Sequence, residues 1–374
     1  MRIVKPQDST LVYKLFLIDG IYFEIIDIWE DKEYTVKFID RKSITPVIYE
    51  SKLKRGMWAK ANRRYLSDYF IEIWDGDTLK ESIDVCKELE GKRVFISFDS
   101  KSLGDTIAWI SSCLEFKNKY KCEVIVSTFL NFLFDKMYPE LKFVGRGIRV
   151  DNIVAMFELG WFYDKNREPI LPSLIPLPQS ATNILNLDFK EIQPKIYFED
   201  KGRPYEDKYI TISTISTAQL KHWYYWQELI NHLTSLGYKV VEISKDPPKY
   251  ENCLHLDDTS LQNTMNVIHH SDLFIGLSSG LSWLSWGIGK HVVMISNFTS
   301  KDHEFTSNCT RITDESICHG CWNKPQFKFD KGNWNYCPEH EDTPRHFECH
   351  KLISFERVKN IVDGLLFKVL PTNP

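Results

Sequence analysis

One stretch of the chain, residues 271–290, restricts the fold more than any other. Its apolar run at 273–275 lies between an aspartate and a glycine and predicts a buried parallel strand. Apolar residues then recur at helical spacing over 281–288, glycines end that helix, and a second strand is predicted at 291–295. This order of elements is typical of an α/β fold with a parallel sheet.

The turn between this strand and this helix is a candidate ligand site. Gly276 and Gly280 bracket Ser278 and Ser279, so we expect a sharp bend that leaves backbone amides and hydroxyls open to an anion. In open α/β sheets, ligands bind at the carboxyl ends of the strands. The alternative is an ordinary strand-to-helix turn, because glycine and serine are common there.

Composition and charge limit the classes of function that the chain can have. The 374 residues include 43% hydrophobic residues and carry a formal net charge of −4, which is compatible with sizeable cores and disfavours a nucleic-acid partner. The first residues lack the apolar core of a signal peptide, and no apolar run is long enough to span a membrane. We therefore expect a cytoplasmic, soluble protein without membrane insertion.

The amino-terminal part predicts short β-strands. They are expected at 10–18, 21–29, 34–38, 44–49 and 69–74, and together suggest a small antiparallel barrel or sandwich. A basic run interleaved with aromatic residues, 52–65, lies before the last of these strands. It is either a solvated face or a groove for a phosphate or an acidic segment.

A first βαβαβ pattern follows. A helical segment at 79–89 is predicted to lead into a strand at 93–98, a loop and a helix from 107, then strands at 122–127 and 141–143 with a helix at 131–137 between them. Asp105 closes the loop before the helix. It either caps that helix or acts as a general base, because a carboxylate in a cleft can accept the proton of an attacking hydroxyl.

The second half of the chain repeats the α/β pattern. Four prolines within 169–178 predict a surface connection at the domain boundary. Beyond it, strands are expected at 209–215 and 240–243, with helices at 217–236 and 260–270. Lys221 would lie one turn into the first of these helices, against the helix dipole, so either an external anion explains it or it is simply solvated.

Four of the nine cysteines cluster late in the chain. Cys318 and Cys321 form a Cys-x2-Cys pair, and Cys337 and Cys349 follow in a region with little apolar periodicity. Four thiolates can hold one tetrahedral metal, zinc or iron, which would replace a hydrophobic core there. One of His319, His340, His346 and His350 is the alternative fourth ligand. A closed four-ligand site indicates a structural role.

These patterns divide the chain into five parts. We expect a β-rich domain at 1–78, two Rossmann-like domains at 79–190 and 191–300, a metal-binding segment at 301–353 and a carboxyl-terminal helix within 354–374.

Several motifs together resemble the bacterial autotransporter heptosyltransferases, over nearly the whole chain. The resemblance rests on the four cysteines and on the motifs FDSKSLGDT (98–106), PLPQSAT (176–182) with ILNL (184–187), STAQLKHW (216–223) and GLSWLSW (280–286). The pattern departs from the family at Asn186, where a glycine is expected.

The resemblance implies a GT-B fold with two Rossmann-like domains facing a cleft, iron bound by Cys318, Cys321, Cys337 and Cys349, and a large homo-oligomer, a dodecamer. It implies that Asp105 is the catalytic base. It also implies that Lys221 faces the donor phosphates, with Thr217, Gln219, Ser278, Ser279, Gly280 and Leu281 lining the donor pocket.

The implied activity is transfer of heptose from ADP-heptose to serines of an autotransporter adhesin, with inversion. One alternative is a heptosyltransferase that acts on a carbohydrate or lipid-linked acceptor such as the lipopolysaccharide core. An alternative of another class is a metal-stabilised scaffold whose nucleotide crevice has decayed.

Overall fold

A computed structural model describes residues 11–327, 329 and 335–368. Residue 10 of the predicted first strand, residues 328 and 330–334 of the predicted metal-binding segment, and residues 369–374 lie outside the described residues. The chain divides into two compact units. The first contains residues 1–101, 109–172 and 178–190, and the second contains 102–108, 173–177 and 191–374.

The helices of the described residues are α1 (Leu103–Tyr120), α2 (Leu177–Ile184), α3 (Trp226–Ser235), α4 (Leu261–His270), α5 (Gly280–Gly287), α6 (Glu348–Lys351) and α7 (Phe355–Lys368). The strands of the first unit are β1 (Val12–Leu17), β2 (Ile21–Asp27), β3 (Tyr34–Asp40), β4 (Val47–Leu53), β5 (Trp58–Ala61), β6 (Tyr69–Asp75), β7 (Thr78–Asp84), β8 (Arg93–Phe98), β9 (Glu123–Ser127), β10 (Lys142–Phe143) and β11 (Ala155–Leu159).

The first unit contains a seven-stranded sheet with the order β10-β9-β8-β11-β1-β2-β5. Its first five strands are parallel, and β2 and β5 extend it in antiparallel pairing. The separate amino-terminal barrel or sandwich predicted from the sequence is therefore wrong, because β1 pairs with β11 of the parallel sheet. Alternating apolar residues in β2 suit a sheet with one covered face, and they do not identify which sheet the strand joins.

The remaining strands of this unit form an antiparallel sheet with the order β4-β3-β6-β7. The helix predicted at 79–89 is wrong. Asp75 pairs with Thr78 across a two-residue turn, where Gly76 adopts a left-handed φ of 56°, and β7 continues along β6 to Asp84. Only Lys87–Leu89 form a short 3₁₀ turn.

Two further predictions differ from the structure. Instead of the helix expected at 131–137, the structure has a 3₁₀ turn over Asn131–Leu133. The Asn131 side chain accepts from the Thr128 amide and donates to the Val144 carbonyl, and such bonds between a side chain and the backbone compete with a longer helix. The proline-rich stretch is not simply a surface connection. Pro172 and Ile175 are buried, and α2 begins at Leu177.

The second unit is built on one parallel sheet. Its strands are β12 (Tyr209–Ser213), β13 (Lys239–Glu242), β14 (Leu254–His255), β15 (Leu273–Leu277), β16 (Val292–Ile295) and β17 (Cys309–Ile312), in the order β14-β13-β12-β15-β16-β17. All neighbouring pairs are parallel. The α/β class predicted from the sequence is confirmed, because both units contain parallel strands.

The core of the second unit combines the sheet with α3 and α7. Leu229 and Leu233 of α3, and Val358 and Val362 of α7, are buried together with sheet residues such as Ile275. Their four-residue spacing explains why each helix covers the sheet with one face. The predicted carboxyl-terminal helix is thus present from Phe355 to Lys368.

Among the residues that the structure describes, no helix is both long enough and apolar enough to cross a membrane.

Candidate active site

The carboxyl ends of the second sheet carry buried polar side chains. Strand β12 ends at Ser213, β13 ends at Glu242, and Ser278 and Ser296 follow β15 and β16. All four side chains are buried. Because these strands are parallel, their carboxyl ends lie along one edge of the sheet, where α/β proteins bind ligands.

The turn after β15 has the sharp bend predicted at Ser278 and Ser279. Ser279 is extended (φ −147°, ψ 169°) and α5 begins at Gly280 without a side-chain cap on its first amides. The buried Ser279 Oγ has no hydrogen-bond partner among the described residues. A Cβ at Gly280 would lie 3.2 Å from Leu103 Cβ, so this position requires a small residue.

Gly276 does not form part of this bend, in contrast to the prediction. It lies inside β15, paired with Ser213 and Met294. A Cβ there would lie 2.8 Å from the Phe274 ring, so the glycine serves packing within the strand.

Lys221 does not lie in a long helix. Instead of the helix predicted at 217–236, Gln219–Lys221 form a 3₁₀ turn, His222 is extended (φ −69°, ψ 147°), and α3 begins only at Trp226. The buried Trp223 indole donates to the Ile353 carbonyl over 2.7 Å, a tertiary bond that interrupts the helical path. The argument from the helix dipole therefore does not apply to Lys221.

The predicted residues of this turn differ in exposure. Thr217 and Gln219 are exposed, and Lys221 is half-buried. The Lys221 ammonium lies 5.5 Å from the centroid of the Phe298 ring.

The charges around Lys221 bring Asp105 into the same site. Burial lowers the pKa of Lys221, the carboxylates of Glu304 and Asp105 oppose this effect, and the Arg311 guanidinium adds to it. Asp105 is 8% exposed. The structure therefore places Asp105 and Lys221, which are far apart in sequence, within electrostatic reach of each other in the second unit.

Asp105 is not the residue that precedes a helix, as the capping alternative required. Helix α1 begins at Leu103, two residues earlier, and Ser102 Oγ accepts from the Asp105 amide over 3.5 Å. Ser102 thus occupies the capping position. The Asp105 carboxylate lies in the first turn of α1.

A buried ion pair, Glu304–Arg311, contributes to the charges around Lys221. Arg311 Nη1 lies 2.5 Å from Glu304 Oε2, and the hydroxyls of Ser278 and Thr299 also donate to Glu304. Burial by itself would raise the pKa of Glu304, but Arg311, His303 and the Ser278 hydroxyl outweigh it and hold the pKa at about 2. Burial lowers the pKa of His303 to about 4.

Sequence reasoning missed Glu304, Arg311 and His303. Their only signal is that Arg311 interrupts the short strand β17, and no spacing rule pairs it with Glu304.

A second buried carboxylate was also missed. Glu242 is 3% exposed at the end of β13, where Thr214 Oγ1 donates to it and His255 Nδ1 lies 3.6 Å away. An acidic residue at this position of a βαβ unit suits the hydroxyls of a ribose.

The four predicted cysteine ligands interact electrostatically, but among the described residues no three of their sulfur atoms lie within 4.8 Å of one another. Cys321, Cys337 and Cys349 are buried, Cys318 is half-buried, and all four are free thiols. Burial raises the pKa of Cys321 to about 12, and the thiols of Cys318 and Cys337 add to this effect. Burial and the other three thiols likewise raise the pKa of Cys349. A metal cation bound by these cysteines would favour their thiolate forms and so lower these pKa values.

One predicted alternative ligand also lies at this cluster. The potential ligand atoms of Cys318, Glu339 and His340 all lie within 4.8 Å of one another. Burial and the Glu339 carboxylate raise the pKa of Cys318 to about 12. Among the four histidines considered from the sequence, the structure thus places His340 beside Cys318.

The chain is similar to known proteins. The profile of Glycosyltransferase family 9 (heptosyltransferase) matches residues 175–336. The autotransporter heptosyltransferase Aah of Escherichia coli is 31% identical over 352 residues, with 89% of each chain covered. An inactive autotransporter heptosyltransferase, BimC of Burkholderia thailandensis, is 28% identical, with 93% of this chain and 86% of BimC covered.

A solved structure extends the similarity to the fold. The autotransporter heptosyltransferase TibC of Escherichia coli O78:H11 is 30% identical over 326 residues, which cover 82% of this chain and 80% of TibC. The crystal structure of TibC, described as an iron-containing dodecameric glycosyltransferase, superposes with a TM-score of 0.82 at 27% identity, over 98% of this chain and 100% of that chain. TibC has also been crystallised in complex with ADP-D-β-D-heptose.

The identity to Aah, its coverage and the match of the whole fold to TibC lead to one conclusion. This chain belongs to the autotransporter heptosyltransferase family.

Proposed function

We propose that this chain transfers heptose from ADP-heptose to serine hydroxyls of an autotransporter adhesin, with Asp105 as general base. The observation that carries the proposal is that the start of α1, which bears Asp105, packs against Gly280 after β15, and that Asp105 lies within electrostatic range of Lys221. A base and a cation are the two groups that this transfer requires, one for the acceptor and one for the leaving diphosphate.

The transfer exchanges one bond for another. The Asp105 carboxylate takes the proton of the acceptor serine while the serine oxygen forms a bond to the anomeric carbon of heptose. The bond between that carbon and the β-phosphate oxygen breaks, and ADP leaves with the electron pair. Attack opposite to the leaving group inverts the anomeric centre.

Lys221 stabilises the charge that develops on the departing ADP. Its partial burial strengthens this interaction, because fewer water molecules screen the ammonium. The backbone amides of Ser278, Ser279, Gly280 and Leu281 and the Ser279 hydroxyl, at the amino terminus of α5, bind the diphosphate, together with Thr217 and Gln219. The unpartnered Ser279 Oγ is available for such a bond.

The cysteine cluster has a structural role in this proposal. Cys318, Cys321, Cys337 and Cys349 hold one metal, and iron is preferred because TibC is iron-containing. The metal supplies a cross-link for this segment. The close approach of His340 and Glu339 to Cys318 makes them the alternative ligands.

The remaining parts of the proposal follow the family. The two α/β units correspond to the two Rossmann-like domains of a GT-B enzyme, the protein is cytoplasmic, and it assembles into a large homo-oligomer, as the dodecameric TibC does.

The test is co-expression of the protein with an autotransporter adhesin and an ADP-heptose supply, followed by mass spectrometry of adhesin peptides. We expect a heptose mass on serine residues. Label on a lipopolysaccharide core and none on serine would favour the carbohydrate acceptor. The similarity to BimC, an inactive autotransporter heptosyltransferase, supports keeping the scaffold alternative. ADP binding without any transfer or hydrolysis would favour that alternative.

A further inference from the structure

The turn that carries Lys221 is bonded to residues near the cysteines. The Gln219 amide donates to Asn335 Oδ1 over 3.0 Å. Asn335 lies two residues before Cys337. The first half of the turn is therefore attached to the cysteine segment, which we define as residues 318–353.

The chain after Lys221 is attached to the same segment. The Trp223 indole donates to the Ile353 carbonyl over 2.7 Å, and the Tyr225 hydroxyl donates to the Lys351 carbonyl over 2.9 Å. Within the turn itself, the bonds are those of a single 3₁₀ turn, such as Lys221 N to Ala218 O. One such turn is not stable alone, so its conformation depends on these outside bonds.

The Cys-x2-Cys pair supports the ring that faces Lys221. The Phe298 ring lies 5.5 Å from the Lys221 ammonium, and its carbonyl accepts from the Trp322 amide over 3.1 Å and lies 4.0 Å from Cys321 Sγ. The Gly320 amide also donates to the Asn297 carbonyl over 2.7 Å. Lys221 is thus surrounded by backbone that the cysteine segment holds in place.

We propose that the cysteine segment positions Lys221 for the donor diphosphate, with Asn335 and Trp223 as positioning residues. This proposal rests on the proposed function, since it assigns ADP to the Lys221 site. When the bonds between the turn and the cysteine segment are weakened, the Lys221 side chain samples several positions, so ADP binds more weakly. The segment therefore acts on donor affinity through the position of Lys221.

Two adjacent tryptophans give a matched pair of variants. Trp223→Phe removes the indole donor to Ile353, whereas Trp226→Phe removes a similar volume from the same core and an indole nitrogen that has no partner among the described residues. Asn335→Ala is a second variant, at an exposed position where the fold is not at risk. All are made in the metal-loaded protein.

Two measurements are made on each variant: hydrogen exchange of the peptide that contains residues 217–223, and the Kd of ADP by calorimetry. We expect faster exchange and a Kd about 3- to 10-fold higher in Trp223→Phe and Asn335→Ala, with metal content retained. Trp226→Phe is expected to lower the melting temperature and leave both readouts at the wild-type values.

Wild-type exchange in both Trp223→Phe and Asn335→Ala would overturn the positioning role, as would faster exchange with an unchanged Kd. If the wild-type protein does not bind ADP, the proposed function fails, and the exchange of residues 217–223 decides by itself whether the segment positions the turn.

Discussion

Glu304→Gln tests whether the buried ion pair stabilises the second unit. The pKa of Glu304 lies at about 2 instead of the ordinary 4.5, which corresponds to about 3 kcal/mol at about 1.36 kcal/mol for each pH unit. The substitution also leaves Arg311, whose side chain is 11% exposed, without its counter-charge. Loss of one partner of a buried pair costs about 3–5 kcal/mol, in agreement with the first figure.

The pH dependence of this contribution has a definite sign. The pKa of Glu304 is lowered on folding, so its contribution is fully present above the ordinary pKa and is lost as the pH falls towards 2. Wild type and Glu304→Gln should therefore differ by about 3 kcal/mol at pH 7 and by about half of that at pH 3.5. The assay is urea unfolding followed by circular dichroism at a series of pH values.

Glu168→Gln is the matched control, because Glu168 is a buried carboxyl of the opposite kind. Burial raises its pKa to about 7, against opposing hydrogen bonds from Ser180 and Phe162. Its ionised form opposes folding, so the substitution should leave the free energy of unfolding unchanged at pH 3.5, below the ordinary pKa, and increase it at pH 8.

A double variant distinguishes the loss of the ion pair from the cost of leaving Arg311 without a counter-charge. Arg311→Met in the Glu304→Gln background removes the unpaired charge and should recover part of the lost free energy. A loss below about 1 kcal/mol in Glu304→Gln at pH 7, or a loss that does not shrink at acid pH, would refute the reasoning.

Three further substitutions test the proposed site. Asp105→Asn should lower turnover by about 10²-fold or more with folding and ADP binding intact, and retained turnover would exclude Asp105 as the base. Lys221→Ala should weaken ADP binding by roughly tenfold or more in calorimetry and slow transfer as well, and Lys221→Arg should restore only part; unchanged values would make the lysine an ordinary surface residue. Cys349→Ser should abolish stoichiometric metal in elemental analysis, whereas the buried Cys113→Ser should retain it; full retention in Cys349→Ser would turn attention to His340.

The second sheet was predictable because its strands are buried on both faces. The apolar run of β15, the helical spacing of α5 and the strand β16 are local patterns, and the structure reproduces them within two residues. The end of α5 was also predictable from the sequence, because glycine often ends a helix in the left-handed conformation, and Gly289 adopts a left-handed φ of 85°.

The start of α3 was not predictable, because a distant bond decides it. Residues 217–225 are compatible with a helix, and the bond from Trp223 to Ile353, 130 residues later, interrupts it. The same holds for Glu304 and Arg311. Pairing of β17 with β16 places Arg311 beside Met294, and no local pattern reports which strands pair.

Asn186 shows how a departure from the family pattern can leave the turn unchanged. The residue adopts a left-handed φ of 52°, a conformation that glycine adopts freely and asparagine tolerates. Its side chain adds a bond from Lys42 Nζ over 2.5 Å, which glycine could not provide.

The pairing of β1 with β11 determines when the first sheet can be completed during synthesis. Leu17 pairs with Ala155, 138 residues later, so the hairpin of β1 and β2 leaves the ribosome long before its parallel partner exists. Until then, one side of β1 presents unpaired amides and carbonyls, which favours association with other chains. All strands of the second sheet lie within residues 209–312, so its strand partners are synthesised closer together in time. Ribosome stalling shortly before residue 155 should therefore yield aggregation-prone nascent chains, and stalling some 40 residues after β11, when the exit tunnel has released it, should not.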